Sequence, residues 1–238
     1  MLKILLLVDN KIKQDQLDAV KAEVASFYQL NCKIKLAFTE ERRDFSNVPK
    51  EWYDEETEGI QKKYIAEVTK ELYKKYAEDI DEVVFFVHRD NWTLTGVWGW
   101  NLSKTFSGYG VQQCRFDNKN LANSVGTLYH ELHHDHDTFI FTYTGVKIET
   151  IANVIDWDDD ITHAGRFTGT NYGYKYIRHN ENQESLKIIA PYLQQAIAKR
   201  REIWDKKKVG YLQQIIKLAE QVIVIQRALI AQKRGDVS

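Results

Sequence analysis

His130-Glu131-Leu132-His133-His134-Asp135-His136-Asp137 is the stretch on which the fold reading turns, and it holds four of the chain's seven histidines. In a helix, positions 130 and 134 lie about one turn apart on the same face, so both imidazoles can reach one metal ion. Zinc prefers nitrogen ligands of this kind and, where catalytic, keeps one coordination position for water. Glu131 is displaced about 100° around the helix. Its carboxylate is then near enough to act on that water as general base and to return the proton to a leaving amine. The competing reading is an exposed histidine-rich helix turn with adventitious metal affinity.

Upstream, the helix that carries this stretch reads from Asn120 to Thr138, with a start signal near Asn123-Ser124. Before it, residues 92–116 interleave Trp92, Trp98, Trp100, Phe106, Tyr109 and Phe116 with Gly96, Gly99, Gly108 and Gly110. Glycines and aromatics at this density mark edge strands and turns. They make either a core hairpin or a sheet edge that pairs with an extended peptide. Val83-Val84-Phe85-Phe86-Val87 reads as a central strand, and residues 56–78 as an amphipathic helix with Ile60, Tyr64, Val68, Leu72 and Tyr76 on one face. Thr39 to Tyr53, charged and containing Pro49, reads as a loop. Residues 33–38 read as a strand, 12–29 as a helix and 2–8 as a buried strand. This β-α-β-loop-α-β order describes a small twisted sheet with helices packed on it.

Downstream, residues 139–180 are loop-rich and include the acidic run Asp156-Trp157-Asp158-Asp159-Asp160. A helix over 182–201 is interrupted by Pro191, which predicts a kink or a boundary. A final helix over 208–232 carries Leu212, Ile215, Ile216, Val222, Ile223 and Leu229 on more than one face. It is expected either to dock on the core or to pair with another subunit as a homo-oligomer. No repeat or low-complexity linker divides the chain. The expectation is therefore one α+β domain over residues 1–238, with sheet and active-site helix in 1–138 and a loop-rich, helical part in 139–238.

Over roughly residues 80–185 the sequence resembles the zincin metallopeptidases, which combine a twisted sheet, a substrate-binding edge strand and an active-site helix bearing HExxH. The resemblance implies zinc (Zn2+) ligation by His130 and His134 and a base role for Glu131. The chain departs from the family where Asp135 and His136 replace the usual uncharged residues, and the metzincin continuation fails at Asp137 and Ile140. Asp137 shares the face of His130 and His134 but lies about 10 Å along the axis from His130. It reads equally as a carboxylate orienting an imidazole or as surface charge.

The third ligand has two sources. Tyr176-Ile177-Arg178-His179-Asn180-Glu181-Asn182-Gln183-Glu184 resembles the lethal-factor-like gluzincins, where HExxHxxD is followed by a tyrosine and an Asn-capped helix offering a glutamate. That resemblance implies Glu184 or Glu181 as ligand and Tyr176 as a donor to the oxyanion. The spacing from Tyr176 to Glu184 is one residue longer than the family pattern. Helix capping by Asn180 and Gln183 accounts for the same residues without a metal. The other source is His163, between the acidic run and Gly165. Glu184 ranks ahead of His163, because HExxH helices most often recruit a glutamate from a following helix.

The 238 residues are 43% hydrophobic and 28% charged with net charge -1, which gives no electrostatic argument for nucleic acid or an anionic membrane as partner, and neither is expected. Met1 to Val8 is apolar, but Asp9 ends the run with no cleavage signal, so neither a signal peptide nor a transmembrane segment is read and the cytoplasm is the default compartment. Cys32 and Cys114 are too few for a disulfide framework. The leading expectation is a zinc metallopeptidase acting on a peptide or protein substrate. Two others stand beside it: a zincin-fold binding or structural protein with a non-catalytic metal, and a zinc amidase for a small or cell-wall amide.

Overall fold

Ile4-Leu5-Leu6-Leu7-Val8 forms the middle of strand β1 (Leu2–Asp9), and all five side chains are fully buried. An unbroken apolar run of this kind marks a strand covered on both faces. The computed structural model describes residues 1–47, 67–68, 71–72, 75–76, 80–91, 99–101, 110–147 and 180–235. The chain divides into two compact units, Met1–Ile197 and Ala198–Ser238.

In the first unit, β1 pairs in parallel with β2 (Leu36–Arg43) on one side and with β3 (Glu82–His88) on the other. Strand β5 (Gly110–Phe116) continues the parallel order beside β3, and β4 (Gly99–Asn101) runs antiparallel along the outside of β5. The order is β2-β1-β3-β5-β4, so the described residues form a mixed α and β fold with four parallel strands and one reversed edge strand.

Alternation sends successive side chains to opposite faces. On one face Leu2, Ile4, Leu6, Val8, Val84, Phe86, Cys114 and Phe116 join a single core with α1 (Gln14–Cys32) and α2 (Leu121–Thr144). On the other, Phe85 meets Phe45 edge-on, with ring centroids 6.3 Å apart. Residues 67–68, 71–72 and 75–76 are helical, as expected, with Val68 and Leu72 buried. They are tied to β2 where Lys75 and Tyr76 donate to Glu41 and Arg43 donates to Glu71.

Strand β2 and the C-terminal helix differ from expectation. Strand β2 runs on to Arg43, through charged residues that read as loop. It is an edge strand of the sheet formed by the described residues, and there charge is compatible with pairing and discourages further strands. Glu40 pairs with Lys21, while Arg42 donates to the Ile12 carbonyl at 2.6 Å and to Gln14. The C-terminal helix, α3 (Asn180–Gly235), continues through Pro191 without a break. Proline removes one backbone bond and crowds the preceding turn. Here Leu186, Ile189, Ala190, Leu193, Ala196 and Ile197 are buried in the core around an exposed Pro191, and Gln194 donates to the Cys32 carbonyl at 2.7 Å. Packing outweighs the local defect.

The second unit is the remainder of α3. Arg200 and Trp204 are buried, and the cations of Arg200 and Lys207 lie 5.5 and 4.3 Å from the Trp204 ring centroid. From Tyr211 to Lys233 every side chain is exposed. No helix among the described residues is long and apolar enough to cross a membrane.

Candidate metal centre

Helix α2 is launched from the end of β5 by one polar hub. The Asp117 amide donates to Ser124 Oγ at 2.8 Å, and that hydroxyl lies 3.3 Å from the Asp117 carbonyl. The Asp117 carboxylate accepts from the Lys119 amide at 3.0 Å and from Arg89 Nη1 at 3.0 Å. Strand end, turn and first helical turn are thereby fixed to one another, and Asp117 and Ser124 are both buried.

The helix runs six residues beyond the expected Thr138 because Phe139 and Ile140 are still buried. Gly145 stops it with φ +73, its amide donating to the Phe141 carbonyl at 2.9 Å. A left-handed residue just past the last turn favours glycine, which lacks the Cβ that would clash.

Rotation about the helix axis decides what the histidine stretch can do. Val125, Leu128, Tyr129, Leu132, His136, Phe139 and Ile140 are buried. At about 100° per residue they form one broad stripe centred near Leu132. Phe27 and Tyr28 of α1 seat it: the Phe27 and Tyr129 rings meet edge-on at 4.7 Å, and those of Tyr28 and His136 at 5.6 Å. Tyr28 Oη and His136 Nε2 are hydrogen-bonded at 2.7 Å. Burial holds the His136 pKa down at about 3, so the ring is neutral. His136 is thus a core residue that locks α2 against α1. Its distance of six residues from His130 carries it about 240° round the helix.

With the core stripe fixed, positions 130, 134 and 137 fall on the opposite stripe of α2, within about 60° of one another. Glu131 lies between the two stripes and is buried, with 2% of its surface exposed. A glutamate is almost never buried to that degree without a partner, so this is not an ordinary surface charge. Asn123 and Thr127 are also buried and precede His130 on its side of the helix, with Thr127 Oγ1 donating to the Asn123 carbonyl at 2.8 Å. Sequence reasoning missed Asp117 as the helix anchor. Its only signal was the Asp-Asn-Lys-Asn turn before the helix.

Among the described residues no group of three His, Cys, Asp or Glu side chains is placed to hold a metal ion. The side chains of His130, His134, Asp137, Glu181 and Glu184 are outside the described ones, although the backbone is helical at all five positions. Tyr176, His163, the acidic run 156–160, Trp92 and Trp98 also lie outside the described residues. Helix α2 packs against β5, β4 and α1, so the HExxH helix borders the reversed edge strand. Compared with protein-family models, curated proteins and solved structures, the chain matches none.

Proposed function

We propose that the chain is a zinc-dependent peptidase of the zincin type, with His130 and His134 as the first two ligands and Glu131 as general base. One observation carries the reading. The two histidine positions occupy the stripe of α2 turned away from the core, while Glu131 beside them is buried. The donor set fits zinc: two imidazoles one turn apart, with Glu184 as third ligand ahead of His163 and Glu181.

Zinc in such a site supplies a Lewis acid that polarises a carbonyl and acidifies water. The remaining steps belong to this chain. Glu131 takes the proton of the attacking water and passes it to the departing amine nitrogen, so the C–N bond breaks without leaving an anionic amide. Tyr176 donates to the oxygen that gains charge as the carbonyl becomes tetrahedral. Strand β4 is the antiparallel outer strand and borders α2. Its outer edge offers backbone groups to an extended substrate, which would add as a further strand.

The test is Glu131→Gln, close in shape to the native residue. Metal analysis of the variant should find zinc retained, while hydrolysis of a quenched peptide library falls by about 100-fold or more. Hydrolysis retained at the native rate would remove Glu131 from the mechanism, and a purified native chain that takes up no zinc would remove the reading altogether.

A further inference from the structure

In the second unit, Tyr211, Leu218 and Ile225 alternate with Ile215, Val222 and Leu229 at spacings of four and three. That is the 3.5-residue repeat by which one helix meets another along a seam. Leu212, Ile216, Ile223 and Ile230 form a second stripe beside the first, and together they cover about half the circumference. These ten side chains are 46–60% exposed. The opposite side carries Gln213, Lys217, Glu220 and Val224.

We propose that residues 211–230 are a helix–helix interface that takes a second copy of this chain. Three observations select that occupant. The apolar area on offer is on the order of 1,000 Å2 per copy, against about 800 Å2 per partner in a stable interface. The positions flanking the seam are Gln214, Ala219, Gln221, Gln226 and Ala228, all uncharged, so two identical helices meet without like-charge repulsion. Lys217, Glu220 and Arg227 are the only charges between 211 and 230, of mixed sign among glutamines. A helix lying on an anionic membrane has a polar face rich in lysine and arginine, and this one does not.

The interface makes no use of the candidate metal centre, so it stands or falls apart from the peptidase reading. Its test is sedimentation equilibrium of the full chain at micromolar concentration, in three variants beside the native sequence. Leu218→Asp and Ile225→Asp each set a charge in the seam; Val224→Asp adds the same charge to the polar side, about 180° from Ile215. The native chain and Val224→Asp should sediment at twice the monomer mass or a higher multiple. The two seam variants should sediment as monomers, with association weakened at least about 100-fold, because an unpaired carboxylate is desolvated at every contact. A monomeric native chain overturns the proposal. So does association that survives both seam variants or is lost equally in Val224→Asp. Flotation of a monomeric native chain with phosphatidylserine vesicles would assign the face to lipid and overturn it as well.

Discussion

Tyr28 in α1 and His136 in α2 stand 108 residues apart and share a buried hydrogen bond of 2.7 Å. It adds a polar contact to the edge-on packing of Phe27 and Tyr28 against Tyr129 and His136.

Tyr28→Phe keeps the ring and deletes the hydroxyl, leaving the imidazole nitrogen without its partner in a place water does not reach. The expected loss is about 1–3 kcal/mol. Urea unfolding should show a lower midpoint at an unchanged slope. A midpoint equal to the native one would mean that the bond does not fix the helix pair.

Pro191→Ala should stabilise the chain by roughly 1–3 kcal/mol, since the helix already continues through this exposed position and alanine restores a backbone donor. A rise in melting temperature is the readout. A fall would show that the core around Leu186 and Leu193 depends on the distortion proline imposes.

Burial pushes the Cys32 thiol well above its ordinary pKa of 9.0. In the unfolded chain the thiol ionises above that pH; in the fold it stays protonated. Its contribution to stability is therefore complete below pH 9.0 and declines as pH rises past it. Cys32 and Cys114 are both buried thiols. At pH 8 a thiol reagent should count neither in the native protein and both in denaturant. Rapid native labelling of Cys32 would contradict its burial.

Glu184→Ala and His163→Ala separate the two sources of a third ligand. The variant that removes it should lose zinc by about 10-fold or more in affinity while the other retains it. Zinc content after dialysis against a weak chelator reads the difference. Full retention in both, and in Glu181→Ala, would exclude all three.

The parts of the fold that follow from local pattern could be read from the sequence. The apolar runs at Ile4 and Val83, the α1 face of Leu17, Val20 and Val24, and the helical spacing of His130 and His134 each depend only on residues near them in the chain. What escaped depended on distant partners. Glu40 to Arg43 look like loop until Lys21 and Gln14 are set against them, and Pro191 looks like a boundary until the core holds both of its flanks. His136 read only as a departure from the family pattern, because its role is set by Tyr28 on another helix. The proposed third ligand is a choice of the same kind, for no local spacing says whether residue 163 or 184 approaches His130.

The sheet's pairing order also sets a timetable for folding. Strand β1 registers Leu2 against Leu36 on one side, a closure of 34 residues, but Ile4 against Glu82 on the other, a closure of 78 residues. Loop entropy makes the second contact slower to find. The β1-α1-β2 unit is complete by Arg43, well before β3 begins at Glu82. Until β3 arrives, the edge of β1 that β3 will pair with has unpaired backbone. During that interval the nascent chain is most exposed to aggregation, and a chaperone would gain most by binding residues 2–9.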